Sequence, residues 1–132
     1  MADIAVGQQV QPLVIETVDA EKMKIVAAIL QDPNPIHFDV SVVQRLGYGE
    51  RPINQGPVNM AWLSECAVRC AGGRDRLRRS RVRFLGNVFA GERVVVSGSV
   101  TAVDPADGVA ELTLEATADG RPVLTGTVLV TI

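Results

Sequence analysis

Cysteine, histidine and aromatic residues are scarce in this sequence, and each scarcity removes a class of function. The two cysteines, Cys66 and Cys70, lie four apart in a segment with helical periodicity, where side chains on one face diverge instead of bonding. Both read as small helix-packing residues. The single histidine, His37, belongs to another segment with no cysteine at zinc-like spacing, so no metal site is expected. Aromatic residues make up 4% of the chain and the formal net charge is −2, which offers nucleic acid neither stacking platforms nor a positive field. The longest apolar runs, such as Ile25 to Leu30, fall far short of the roughly 20 residues that cross a bilayer, so no membrane span is expected. Met1-Ala2-Asp3-Ile4-Ala5 lacks the basic start, apolar core and small-residue cleavage site of a secretory signal. Cytoplasmic location is the default expectation.

What is present suits one globular domain. A chain of 132 residues, 47% hydrophobic and 21% charged, builds a single core, so the whole of 1–132 is expected as one unit. Gln9 to Thr17 reads as a first strand interrupted by Pro12. Asp19 then caps a helix over Ala20 to Leu30, in which Met23, Val26, Ala27 and Leu30 recur at helical spacing. Asp32-Pro33-Asn34-Pro35 should end that helix, because proline lacks an amide donor and pushes its predecessor out of helical geometry. Asp39 can cap a second short helix through Leu46, stopped by Gly47-Tyr48-Gly49. Gly56-Pro57 opens a third, with Val58, Ala61, Trp62, Cys66 and Ala67 as its apolar stripe to about Ala71, and Gly72-Gly73 ends it.

Three or four long strands follow, over roughly Leu77 to Phe84, Glu92 to Val103, Val109 to Ala118 and Pro122 to Ile132. Asp107-Gly108 and Asp119-Gly120 are hairpin signals between them. Helices followed by a strand meander do not make a parallel sheet. The fold class is therefore α+β, with an antiparallel sheet packed on the long helix from Gly56.

The densest run of chemically capable residues is Asp32-Pro33-Asn34-Pro35-Ile36-His37-Phe38-Asp39. Its two prolines fix the backbone between a carboxylate, a carboxamide and an imidazole, so little entropy remains to be lost on forming a site. The residues alone leave two readings open: a preorganised acid and base, or turn hydrogen bonds from Asp32 and Asn34 with His37 satisfying a backbone group.

That run resembles the Asp-x-Asn-Pro-x-His-x-Asp motif of the MaoC-like dehydratases, the family that includes the (R)-specific enoyl-CoA hydratases. Arg51-Pro52-Ile53-Asn54-Gln55-Gly56 resembles the family's approach to its central helix. Arg83-Phe84-Leu85-Gly86-Asn87-Val88-Phe89-Ala90-Gly91-Glu92 resembles its Arg-Phe-x-x-Pro-Val-x-x-Gly-Asp turn. The resemblance implies a single hot dog domain, with the sheet wrapped around one long helix, assembled as a homodimer or as a heteromer with a related chain.

It also implies an activity: reversible hydration of a trans-2-enoyl thioester, carried by coenzyme A or an acyl carrier protein, with no further cofactor. Asp32 and His37 would be the catalytic pair that activates water. The Gly56 amide, at a helix N-terminus and without a side chain in the way, would polarise the thioester carbonyl. Asn34 would orient the loop or the water, and Asp39 cap the next helix. The chain departs from the family at Gln55, where a histidine is common, and at Ala61, in place of a small hydroxyl residue. Gln55 and Asn59 join Asn34 and Gly56 as expected substrate-binding residues, Asn59 as a polar group one turn into the helix.

Arg74, Arg76, Arg78, Arg79, Arg81 and Arg83 are six of the chain's thirteen Lys and Arg residues. In a strand, Arg79, Arg81 and Arg83 share one face. That face is either simply solvated or used on coenzyme A phosphates or an acidic carrier. A hot dog thioesterase and a non-catalytic thioester-binding subunit are the competing expectations for function.

Overall fold

The computed structural model describes residues 4–132, which form three α-helices and a five-stranded antiparallel sheet. Met1 to Asp3, most of the stretch tested above for a signal, lie outside the described residues. The first strand is shorter than expected: β1 covers Leu13–Ile15, and upstream of Pro12 the chain is tied to the sheet without forming a strand, by the Gln9 bridge to Ser99 and by backbone bonds of Gly7 and Gln8 to Val100 and of Val10 to Gly98.

Helix α1 (Ala20–Leu30) starts on Asp19, whose carboxylate accepts the Glu21 amide. Its end differs from the expectation. Before the prolines are reached, Gln31 turns left-handed at φ 51°, and the Gln31 and Asp32 amides bond back to Ala28 and Ala27 at 3.3 and 2.9 Å. This is a Schellman closure, and it fixes where Asp32 leaves the helix. α2 (Val40–Arg45) is capped by Asp39, whose carboxylate accepts from both the amide and the hydroxyl of Ser41. Those bonds hold the Asp39 carboxyl below its ordinary pKa.

α3 (Gly56–Ala71) ends at Gly72, in the left-handed region at φ 87°. β2 (Leu77–Phe84), β3 (Val94–Asp104), β4 (Val109–Ala118) and β5 (Arg121–Thr131) fall within two residues of the expected limits. Asp119 and Gly120, at φ 47° and 80°, make the two-residue loop whose double positive φ matches strand twist.

The strand order is β1-β3-β4-β5-β2. Val94, Val96, Leu112, Leu114, Leu124 and Val128 point to one side and bury Leu63, Cys66 and Ala67 of α3 beneath them. This is the hot dog arrangement. Leu63 is fully buried, which contributes about 1.5–3 kcal/mol. A Cβ on Gly126 would sit 2.5 Å from the Arg81 carbonyl oxygen and 3.3 Å from Leu63 Cδ2, so the missing side chain lets helix and sheet close up. Cys66 is buried with its Sγ 3.6 Å from the Gln11 carbonyl, and Cys70 is half-buried on the same helix. Both thiols are free, and burial pushes both pKa values up.

Arg79, Arg81 and Arg83 pair with Leu129, Thr127 and Thr125, while Ser80 pairs with inward-facing Val128. The three arginines therefore share the outer face of an edge strand, as their spacing predicts. Among the described residues no helix is long and apolar enough to cross a membrane.

Candidate active site

The Asp32 to Asp39 segment folds on its own side chains. Asp32 Oδ1 accepts the Asn34 amide at 3.0 Å, and Asn34 Oδ1 accepts the Ile36 amide at 3.3 Å, capping a short 3-10 turn over Pro35–His37. The turn reading and the acid-base reading of these residues are thus compatible. Asp32 spends one oxygen on the turn, and its other oxygen, Oδ2, lies 3.3 Å from His37 Nε2.

The opposite edge of the imidazole is also fixed. His37 Nδ1 is 2.6 Å from the Ile53 carbonyl oxygen. A carbonyl can only accept, so Nδ1 carries a hydrogen there and Nε2 is the ring nitrogen left to face Asp32 Oδ2. His37 is buried, whereas the Asp32 side chain keeps about a third of its surface exposed. The pair therefore joins a sheltered ring to a carboxylate that water can reach.

Facing them is the start of α3. Pro57 has no amide, and the amides of Val58 and Asn59 bond back to the Gln55 carbonyl at 3.1 and 3.2 Å. In this first turn the Gly56 amide alone is left without a partner among the described residues. A helix N-terminus carries partial positive charge, so this amide suits a developing oxyanion. The fold does not demand glycine here, since an added Cβ would meet only the Phe84 ring at 3.4 Å.

A cavity of about 520 Å³ lies between the two walls, lined by Asn34, His37, Ile53, Asn54, Gly56 and Asn59 together with Phe84 to Asn87. Asp32 stands beside it, reaching it through His37. A second cavity of about 240 Å³, walled by Ile15, Val18, Met23, Val26, Val58 and Trp62, shares Asn54 with the first.

Two expectations need correction. Gln55 does not face the cavity: it is fully buried, donates from Nε2 to the Met23 carbonyl at 2.8 Å, and leaves Oε1 without a partner. In the extended backbone before α3, consecutive side chains point to opposite sides, so Asn54 turns to the cavity and Gln55 to the core. Ala61, expected in the apolar stripe of α3, is exposed instead, and Leu63 is buried beneath the sheet. Asn54 and Asn87 are cavity residues that the sequence reading did not pick out. Arg81 and Arg83 of the arginine stripe line a different groove, with Thr113, Thr125 and Thr127. Among the described residues no three His, Cys, Asp or Glu side chains converge as metal ligands.

A family model described as "MaoC like domain" matches residues 3–120. The chain belongs to the MaoC-like domain family. No curated protein matches it in sequence. Among solved structures, the (R)-hydratase from A. caviae involved in PHA biosynthesis superposes with a TM-score of 0.88 at 25% identity, over 100% of this chain and 99% of that one. R-hydratase PhaJ1 from Pseudomonas aeruginosa gives 0.86 at 20% identity, over 98% and 82%. The ChsH1-ChsH2 complex from Mycobacterium tuberculosis gives 0.85 at 19%, over 97% and 98%. The last two share the MaoC-like fold at identities that speak to architecture alone.

Proposed function

We propose that this MaoC-like chain adds water reversibly to a trans-2-enoyl thioester, giving the 3-hydroxyacyl thioester. The observation that carries the reading is the juxtaposition across one cavity of a proton-exchanging pair, Asp32 and His37, and a free helix N-terminal amide, Gly56. The likeness to an (R)-hydratase supports it.

Water held between Asp32 Oδ2 and His37 Nε2 loses a proton to the pair as its oxygen bonds to the β carbon. The electron pair of the carbon–carbon double bond moves toward the thioester, and negative charge gathers on the carbonyl oxygen at the Gly56 amide. The pair then returns one proton to the α carbon. Atoms and charge balance with no added cofactor. Positioned acid and base supply about 10² to 10⁴ in rate, and an amide aimed at the oxyanion a further 10² to 10³ or so. Asn34, with Oδ1 committed to its turn, keeps its amide for the water or the substrate.

The thioester is carried by coenzyme A or by an acyl carrier protein, and the chain works as a homodimer or beside a related chain. The ChsH1-ChsH2 complex, similar in fold, is itself an assembly of two chains.

Crotonyl-CoA tests the reading, with enoyl absorbance and free thiol followed together. Absorbance falling without thiol release is expected. Thiol release without hydration would replace the reading with a thioesterase, and thioester binding without either change would leave a binding subunit.

A further inference from the structure

We propose that Asn59 supplies a second hydrogen bond to the thioester carbonyl oxygen, and that Asn54 is the positioning residue that aims it. This rests on the hydration reading above and deepens it.

A carbonyl oxygen that gains charge has room for two donors, and backbone-built oxyanion sites usually provide more than one. Here the next backbone donor after Gly56 is missing, because residue 57 is proline. The Asn59 side chain reaches back along α3 past that gap: its Oδ1 accepts from Asn54 Nδ2 at 2.7 Å, and residue 54 precedes the helix. Side chains on a helix tilt toward its N-terminus, so this reach needs no unusual geometry. It turns the Asn59 carboxamide toward the helix start, where Gly56 and Asn59 line the same cavity.

The bond between the two asparagines also decides which way the amide points. With Oδ1 held by Asn54, the two hydrogens of Asn59 Nδ2 are the end left over, and they make no hydrogen bond among the described residues. Gln55 Oε1 is the sole sealed and unpartnered side-chain polar atom among those residues, so the free Asn59 Nδ2 is open to the cavity that both asparagines line. Both residues are otherwise more than nine-tenths buried. A sheltered carboxamide locked as a donor by another carboxamide, one helical turn from the Gly56 amide, is preorganised for an acceptor of fixed position.

Three near-isosteric changes test this with crotonyl-CoA. Asn59→Asp keeps the acceptor for Asn54 and replaces the free donor by an oxygen. Asn59→Leu removes the donor without burying a charge, which guards against a folding failure of the first. Asn54→Asp leaves Asn59 untouched but offers it an acceptor, so the amide turns over and presents its oxygen to the cavity. The expected result is a fall in kcat of about 10² for all three, with KM moving only a fewfold, because the bond tightens as charge develops. The carbonyl stretch of a bound, non-reacting acyl thioester should rise in each variant, a change that a merely structural asparagine would not produce. An Asn59→Leu protein that keeps the native kcat, or one whose loss lies wholly in KM with an unmoved carbonyl stretch, overturns the inference and leaves the hydration reading standing. A native protein that binds thioesters but never hydrates them overturns both.

Discussion

The two walls of the cavity are built by opposite strategies. The Asp32 to Asp39 wall is tied together by bonds spanning two residues: Asp32 to the Asn34 amide, Asn34 to the Ile36 amide and Asp39 to Ser41. The facing wall is assembled from afar, with Asn54 bonded to Val88, Ala90 to Pro52, and buried Glu92 accepting from Phe89 and Arg121. One wall carries the pair proposed to move protons, and its turns are local, with distant ties through the Ile53 carbonyl to His37 and the Ile53 amide to Ile36. The other carries fixed dipoles, and its shape depends on the whole fold. Changes in the first should therefore remove activity with little loss of stability, while changes deep in the second should move both.

The largest effect should come from the local wall. Asp32→Asn keeps an oxygen for the Asn34 amide and so preserves the turn, but it removes the proton acceptor beside His37. His37→Gln likewise removes the exchanging nitrogen. Hydration of crotonyl-CoA is expected to fall about 10² to 10⁴ in each, with the melting temperature close to native. A variant that hydrates at the native rate would break the pair assignment, and one that unfolds would break the contrast between the walls.

Gly56→Ala probes the second wall at its edge. The added methyl meets only the Phe84 ring, and alanine is the better helix former, so the protein should melt at or slightly above the native temperature. The same methyl stands where the proposed reaction brings the carbonyl oxygen. Displacing a reacting group by about 1 Å costs on the order of 10² in rate, and that is the fall expected in kcat/KM. Stability and activity would then move in opposite directions. Native kcat/KM in this variant would remove Gly56 from the site.

The same division of local from distant structure explains what could be read from the sequence. The helices came out of capping residues and apolar spacing, and the hairpin loop out of Asp119-Gly120, because each is decided within a few residues. The turns of the Asp32 to Asp39 wall were legible for the same reason, whereas the pairing of Asp32 with His37 came from the resemblance. Asn54 was not, since its place in the cavity depends on Val88, which is 34 positions away. Gln55 misled because adjacency to Gly56 suggested a shared destination, when an extended backbone sends neighbours to opposite sides. A signal was nevertheless present: asparagines at 54 and 59 bracket the helix start at a separation that lets one reach the other. The end of α1 was credited to the prolines because nothing in a glutamine announces a left-handed residue, yet the Gln31 closure arrives first.

Glu92→Gln should give the smallest effect of the series and the clearest sign of coupling. Glu92 is buried, and its carboxylate takes the Phe89 amide at 2.9 Å and Arg121 Nη2 at 3.1 Å, with Arg51 Nη2 at 3.6 Å. Arg121 in turn donates to the Asn87 carbonyl at 2.9 Å, in the loop that lines the cavity. Glutamine keeps an oxygen for the Phe89 amide but loses the charge that holds both arginines. Each arginine side chain is about half exposed, 51% and 48%, so water replaces much of what is lost. A loss of about 1–2 kcal/mol follows, with a melting temperature about 3–8 °C lower. No group that touches substrate is altered, so any fall in hydration reports the position of the Phe84 to Asn87 loop. It should be severalfold and appear mainly in KM, because a displaced wall weakens ground-state and transition-state binding alike. A fall confined to kcat would make Glu92 part of the chemistry, and unchanged kinetics at reduced stability would show that the loop holds its place without it.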